Sequence, residues 1–425
     1  MIAKAPSTSG RLGGPYARVL SAGSLGALGL AGTEVIAPLY AIASFHATAG
    51  MISLLLVAGS IPWLVISLPA GVWVDRSNKV TVLRWQYMVR ALALLSIPAA
   101  YLAGWQSYAQ LVVVELVVGI TSVFITVSST AVLPAIVQRD DLARANSQLS
   151  AGTSVGTLGG QAAGGLLVAW LGGALAYLFE AFTSIASALL MLSRSLTDSA
   201  PKQGDSSGSK EPFLPAVRRG LALTFGELAF RKLTVVGALV NLGEAMRYVA
   251  LPLLAVRVLL FSPGWVGGLF VAATAGGILS SLAVPRLSRL LGTSRLWRWS
   301  TLLDGMTVIA AALVPMSTNG RAVFVVLIVI QAAFRMPTVI ISSSTRQALC
   351  PPELIGRLSA TSRVITWGVI PLGASAGGLL ISLTSIRTGY LVAGCVALTA
   401  WLVTSSPSLR RVRDLESLDI HFQAA

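Results

Sequence analysis

The chain has 425 residues, of which 55% are apolar and only 11% charged, with a mean hydropathy of +0.78. A soluble domain carries about 25% charged residues, so this chain cannot clothe a water-facing surface. A soluble enzyme, a secreted disulfide scaffold and a β-barrel porin are excluded. The net charge of +15 would suggest nucleic acid in a soluble protein, but basic residues in cytoplasmic loops fix membrane orientation, so no nucleic-acid partner is expected. Apolar runs bounded by charges and turn residues predict spans near 18–43, 50–72, 80–103, 107–133, 145–169 and 174–194. A second set follows near 232–256, 263–285, 296–316, 321–345, 358–383 and 387–405. At about 20 residues per span, the expectation is an all-α membrane protein of twelve transmembrane helices. The basic N-terminus, MIAKAPSTSGRLGGPYARVL, lacks a small-residue cleavage site after the first apolar run, so that run reads as a retained span.

Between the two sets lies TDSAPKQGDSSGSKEP (197–212), a polar stretch that reads as a linker. The segment after it mixes large apolar residues with Arg218, Arg219, Glu227, Arg231 and Lys232 and reads as an interfacial helix on the inner leaflet. The expected division is therefore a six-helix bundle over 1–196, a cytoplasmic linker over 197–231, and a second bundle with a cytoplasmic tail over 232–425. With the N-terminus inside, cytoplasmic segments hold 24 Lys or Arg, external loops hold Arg257, Arg321 and Arg387, and four lie within spans. Both termini are expected in the cytoplasm of a cell-membrane protein. Cys350 and Cys395 are too few and too dispersed for a disulfide framework or a zinc site, and both read as unpaired thiols.

The halves repeat. An offset of 213 places Asp140 on Glu353, Arg144 on Arg357, Gly160 on Gly373 and GGLLV (164–168) on GGLLI (377–381) without a gap. Two pseudo-symmetric six-helix bundles that rock around a central site follow from such a duplication. Within the fifth span, Gly152, Gly156, Gly160 and Gly164 recur every four residues on one helical face. The eighth span carries Gly264, Gly268, Ala272, Gly276 and Ser280 at the same spacing. Small-residue ridges allow close packing in lipid, so spans 5 and 8 are expected to meet between the bundles as a sliding seam.

The loop after the second span, LPAGVWVDRSNKVTVL, contains Gly71, Asp75, Arg76 and Lys79. Gly71 would let helix backbones approach closely there. The loop resembles the major facilitator superfamily signature G-x-x-x-D-R-x-G-R/K, with Asn78 at the second glycine and Lys79 where Arg is usual. GTLGGQAAGG (156–165) resembles the same superfamily's exporter motif G-x-x-x-G-P-x-x-G-G, with Gln161 in place of proline. STRQALCPPELIGRLSATSRVITWGVIPLGASAGGLL (344–380) and LARANSQLSAGTSVGTLGG (142–160) are similar to span junctions of the drug and siderophore exporter subgroup that includes enterobactin exporters and macrolide efflux proteins. The resemblance implies that Asp75 and Arg76 latch the cytoplasmic ends of the halves in an outward-facing state.

Nine ionisable residues fall within spans: Glu34, Arg90, Glu115, Glu180, Glu244, Arg247, Asp304, Arg335 and Arg363. A charge at mid-helix costs about 2.5–3.5 kcal/mol on insertion scales, so each needs a partner, a water cavity or a neutral form. In the superfamily, spans 1, 4, 7 and 10 line the cavity, which makes Glu34, Glu115, Glu244, Arg247 and Arg335 the candidates for substrate contact and proton coupling. Glu244 and Arg247 share a helix face three residues apart, so an internal ion pair competes with a substrate role. Arg90 and Asp304 read as structural, Glu180 as interfacial, and Arg363 as securing the cytoplasmic gate. Glu115 lies four residues before Gly119, where many proton-coupled superfamily members carry Arg, so a mechanism that requires that Arg does not transfer.

No catalytic constellation is present. His46 falls in an external loop and His421 in the tail, and there is neither a phosphate-binding G-x-x-x-x-G-K-[ST] loop nor a His/Cys cluster with metal spacing. The chain therefore reads as a non-enzyme without cofactor or metal, a monomer in a lipid bilayer that exchanges a small-molecule substrate for protons. Export of amphipathic drugs or secondary metabolites is the leading expectation. Siderophore export, or a non-transporting receptor or partner subunit on the same frame, are the alternatives.

Overall fold

The computed structural model describes residues 13–138, 141–192, 221–222 and 224–418. The 197–212 linker lies outside the described residues, as do 213–220 and 223 of the expected interfacial helix. Every regular element described is helical. The first half comprises α1 Gly14–Phe45, α2 Ala49–Val65, α3 Ser67–Asp75, α4 Lys79–Leu102, α5 Tyr108–Ile136, α6 Leu142–Leu171 and α7 Gly173–Leu190. The second comprises α8 Leu228–Leu253, which continues as a π-turn over Leu254–Val258, then α9 Pro263–Leu291, α10 Thr293–Ala312 and α11 Thr318–Leu349. It ends in α12 Pro352–Gly368, α13 Ile370–Leu383 and α14 Ile386–Thr404.

Among the described residues, nine helical stretches are long and apolar enough to cross a membrane. The second, fifth and ninth spans depart from that rule for local reasons. The second breaks at Ile66 into α2 and α3, α6 is rich in Gly, Ser and Thr, and α10 carries Arg295, Arg298 and Asp304. Starts are set by side-chain caps: Thr48, Asn78, Ser107, Ser317 and Ser385 each accept an N–H three residues on. Asn78 thus caps α4 at the position where the loop signature has glycine. Gly172 and Gly292, both at φ 81°, let the chain reverse at the α6–α7 and α9–α10 corners without a Cβ penalty.

Helix α1 packs on α6 and α7, and α4 on α5 and α7; α8 packs on α13 and α14, and α10 on α11 and α14. The repeat is visible atom by atom. A side chain at Gly160 would run into the Leu28 carbonyl and one at Gly164 into that of Gly32. At Gly373 and Gly377, 213 positions on, it would meet Leu242 and Met246. Absent Cβ atoms let α6 seat on α1, and α13 on α8, at backbone distance.

The loops at 46–48, 103–107, 259–262 and 313–317 define one face of the protein, the far face; the loops at 76–78 and 292, with Gly13 and Ser406, lie on the other, the basic face. One buried apolar cluster near the far face draws on both halves, joining Val35, Ile36 and Ile52 to Val249, Val266 and Phe324. Toward the basic face the clusters separate, one around Phe230 and Trp297 and another around Leu83 and Tyr87. A shared core on one side and divided cores on the other describe an inverted V. After α14, the chain straps the start of α10: Thr293 N–H donates to Asp414 Oδ1 at 3.2 Å, and Leu409 and Leu415 are buried beside Trp297.

Candidate functional site

The space inside the V is a two-chambered cavity. The main chamber, about 590 Å³, lies between α1, α6, α8, α9 and α11. Gln161, Asn241, Thr274 and Gln331 give it hydrogen-bonding capacity, Phe270 and Met336 apolar wall. Its charge comes from Glu34 on one side and, opposite, from three more of the expected residues. Arg247 Nε donates to Glu244 Oε2 at 2.8 Å, and its Nη2 reaches the other carboxylate oxygen. Arg335, brought in by α11, places Nη1 3.3 Å from Glu244 Oε2 and donates from Nη2 to Asn241 Oδ1 at 3.4 Å. The internal pair anticipated from the i, i+3 spacing is present. One carboxylate serves two guanidiniums, which leaves a net positive charge on this wall.

The side chamber, about 300 Å³, is bounded by α1, α2, α5, α8 and the α12–α13 break. Glu34, Leu56, Tyr248 and Ile370 line both chambers and form the partition, and Tyr248 Oη donates across the halves to the Glu34 carbonyl at 2.5 Å. Trp63 of α2 and Trp367 of α12 meet edge to face with centroids 4.6 Å apart. Arg363 sits 5.6 Å from the centre of the Trp367 ring, with its own side chain exposed. Helices α2 and α5 touch where a side chain on Gly119 would strike Gly59 backbone, and that approach sets Glu115 against the chamber. Glu115 Oε1 is buried with no hydrogen-bond partner. Among the described residues, neither Glu34 nor Glu115 forms an ion pair.

Glu180 is not interfacial. It is fully buried, accepts a hydrogen bond from Thr33 Oγ1 and lies 3.9 Å from Arg90. Arg90 also donates to Thr121 Oγ1 at 3.0 Å, Ser122 Oγ at 2.6 Å and the Val118 carbonyl at 3.3 Å. Depth along a helix is readable in the sequence, but the face on which Glu180 falls is not. In the second half, Gln331 Nε2 donates to Asp304 Oδ1 at 2.6 Å.

The seam between α6 and α9 exists, but of the glycines in the predicted ridges Gly264 alone reaches it among the described residues, facing Ala169. Gly156, Gly160 and Gly164 pack on α1 within their own bundle, and Gly152 meets Ser24 there. Gly276 faces Val329 of α11, and Gly268 faces open space. The two bundles approach at Gly165 and Gly267, each of which would drive a side chain into the other's backbone. The pseudo-symmetric contact joins Ser53 of α2 to Gly378 of α13, where Ser53 Oγ donates to the Ala374 carbonyl at 2.7 Å. A Cβ added at Gly71 would meet nothing within 4 Å among the described residues, which therefore show no close approach there. Arg76 caps the end of α3 and Lys79 opens α4; the Asp75 side chain lies outside what is described.

Sequence reasoning missed Trp63, Trp367 and Tyr248. Aromatic residues in apolar spans carry no periodic signature that separates a cavity wall from a lipid face.

The cavity and its two-bundle frame agree with comparison to known proteins. A solved bacterial homologue of the iron transporter ferroportin in an inward-facing state superposes with a TM-score of 0.74 at 17% identity, over 92% of this chain and 99% of that one. The multidrug efflux pump Tap of Mycolicibacterium fortuitum is 24% identical over 391 residues, 91% of this chain and 93% of the relative. The uncharacterized MFS-type transporter y4rN of Sinorhizobium fredii (strain NBRC 101917 / NGR234) is 24% identical over 372 residues, 87% and 88% of the respective chains. The family model described as transmembrane secretion effector matches residues 16–424. With that match added to the fold and the central cavity, the chain belongs to the transmembrane secretion effector family of major facilitator superfamily transporters.

Proposed function

We propose that this transporter is a secondary active exporter of small amphipathic organic compounds, working as a monomer by alternating access and proton antiport. The basic face is assigned to the cytoplasm, where Lys and Arg accumulate, so the V opens inward. The observation that carries the reading is the pair Glu34 and Glu115, two carboxylates that form no ion pair among the described residues and stand beside a mixed polar and apolar cavity. An ionised carboxylate is costly in such surroundings. Each becomes easier to move past apolar walls once it takes a proton, and is available to a substrate once it releases that proton. Each proton entering with the membrane potential contributes about 2.3 kcal/mol per 100 mV, enough to drive uphill export. The likeness to Tap, itself a multidrug efflux pump, supports the direction of transport and the breadth of substrate. In proteoliposomes, Glu34→Gln with Glu115→Gln is expected to abolish pH-driven efflux while substrate exchange persists. Undiminished pH-driven efflux in the double variant refutes the assignment.

A second reading rests on the main chamber, where Arg247 and Arg335 outnumber Glu244 and would complement an anionic siderophore. Comparing efflux of a cationic dye with that of a catecholate siderophore separates the two. A protein that binds ligand with no proton-dependent flux would instead be a receptor or partner subunit on this frame.

A further inference from the structure

We propose that the side chamber is a binding site for an organic cation, a protonated or quaternary amine on an aromatic or aliphatic body, held against the Trp63–Trp367 pair with Glu115 as its counter-charge. The proposal deepens the exporter reading by naming a substrate class and the place where its charged group sits.

Four observations converge on it. The chamber has room for a small aryl ammonium, about 300 Å³, and its walls are largely apolar apart from two carboxylates. Trp63 and Trp367 present their rings at one end with centroids 4.6 Å apart, and indole faces are the strongest aromatic partners for a cation. Arg363 lies 5.6 Å from the Trp367 ring centre, so one of these rings already holds a positive charge, one whose exposed side chain a bound cation has to displace or avoid. Glu115 Oε1, buried without a hydrogen-bond partner, supplies an acceptor that a ligand can satisfy.

The neighbouring charges favour the same occupant. Arg90 lies behind the wall, where it donates to Val118 and Ser122, but its charge is answered by Glu180 at 3.9 Å. Arg247 and Arg335 stand beyond the Tyr248 partition in the main chamber. Their surplus charge repels a cation from that side and leaves the side chamber, with Glu34 and Glu115, as the more negative compartment. An amphipathic cation would place its ammonium here and extend its body past Leu56 and Ile370 into the larger chamber.

The test uses the full chain in nanodiscs with radiolabelled phenyltrimethylammonium, which carries a charge at every pH, read by scintillation proximity. Saturable binding is expected, displaced by the unlabelled cation but not by the neutral isostere tert-butylbenzene or by benzoate. Glu115→Gln is expected to weaken it about tenfold or more, and Trp63→Leu or Trp367→Leu several-fold. Glu115→Asp should retain selectivity, which shows that charge rather than fold was lost, and Cys395→Ser, at an exposed position on α14, should leave affinity within about twofold. Absence of saturable binding, equal displacement by the neutral isostere, or wild-type affinity in Glu115→Gln overturns the proposal. Proton-coupled export without cation preference would refute this site alone, whereas selective binding without flux would refute the exporter reading alone.

Discussion

A guanidinium only 2% exposed inside a bundle needs its donors matched, and Arg90 finds Thr121, Ser122, a carbonyl and Glu180. Removing one member of a buried pair strands the other at a cost of about 3–5 kcal/mol, whereas removing both costs much less. Arg90→Met is therefore expected to lower the melting temperature in detergent sharply, and Arg90→Met with Glu180→Gln to regain most of the loss. Equal stability of the single variant and the wild type would show that the pair contributes nothing. The charged residues of the cavity are legible in the sequence because an ionisable group in an apolar span is conspicuous. Glu34, Glu115, Glu244, Arg247 and Arg335 all line one chamber or the other. Trp63, Trp367 and Tyr248 are not, since only the tertiary fold turns those rings toward the cavity.

At the scale of the helix, a repeat of four small residues states which positions share a face and leaves the neighbour unnamed. Helix α6 has two such faces. The Gly156, Gly160 and Gly164 face binds α1 inside the bundle, and Gly165, one residue around, meets Gly267 across the seam. The consequences of substitution differ accordingly. Gly165→Leu should stop efflux in a protein that still inserts, because it separates the halves. Gly160→Leu should reduce the yield of folded protein, because it clashes with the Leu28 backbone within one half. Gly268→Leu, pointing to open space, should transport at close to the wild-type rate. Efflux assays paired with size-exclusion profiles distinguish these outcomes, and an inactive Gly268→Leu would show that its surroundings tighten during the cycle.

The whole molecule offers predictions of sidedness and of state. Epitope tags at either end should be reachable only after permeabilisation, as the distribution of Lys and Arg requires, and surface labelling of either end in intact cells would refute the cytoplasmic assignment. On the far face, Arg257 Nη2 donates to the Ala47 carbonyl at 2.8 Å and joins the halves. A cysteine pair at these positions, in a background with Cys350 and Cys395 replaced by serine and bridged by a cleavable bifunctional thiol reagent that spans more than a disulfide can, should block efflux reversibly and spare ligand binding from the basic side. Efflux undiminished by cross-linking would mean that the far face need not part. The duplicated architecture is readable from the 213-residue offset, but the opening toward the basic face is not, because one sequence serves every conformation of the cycle.

The two seam contacts carry a historical implication. Helices α2 and α9 begin 214 positions apart, at Ala49 and Pro263, so Ser53 and Gly267 hold the same place in their helices, as Gly165 and Gly378 do at the offset of 213; each contact pairs one kind of position with the other. That reciprocity is the rule of an isologous twofold interface, so a half-length ancestor bearing both positions could have paired with a copy of itself. In such a homodimer every charge appears twice. Fusion into one polypeptide releases that constraint, and the halves differ: Arg90 in one stands 214 positions before Asp304 in the other, and Glu34 and Glu115 lie on one wall while Arg247 and Arg335, sharing Glu244, lie opposite. An electrical asymmetry across the transport path is open to a tethered pair and closed to a symmetric one.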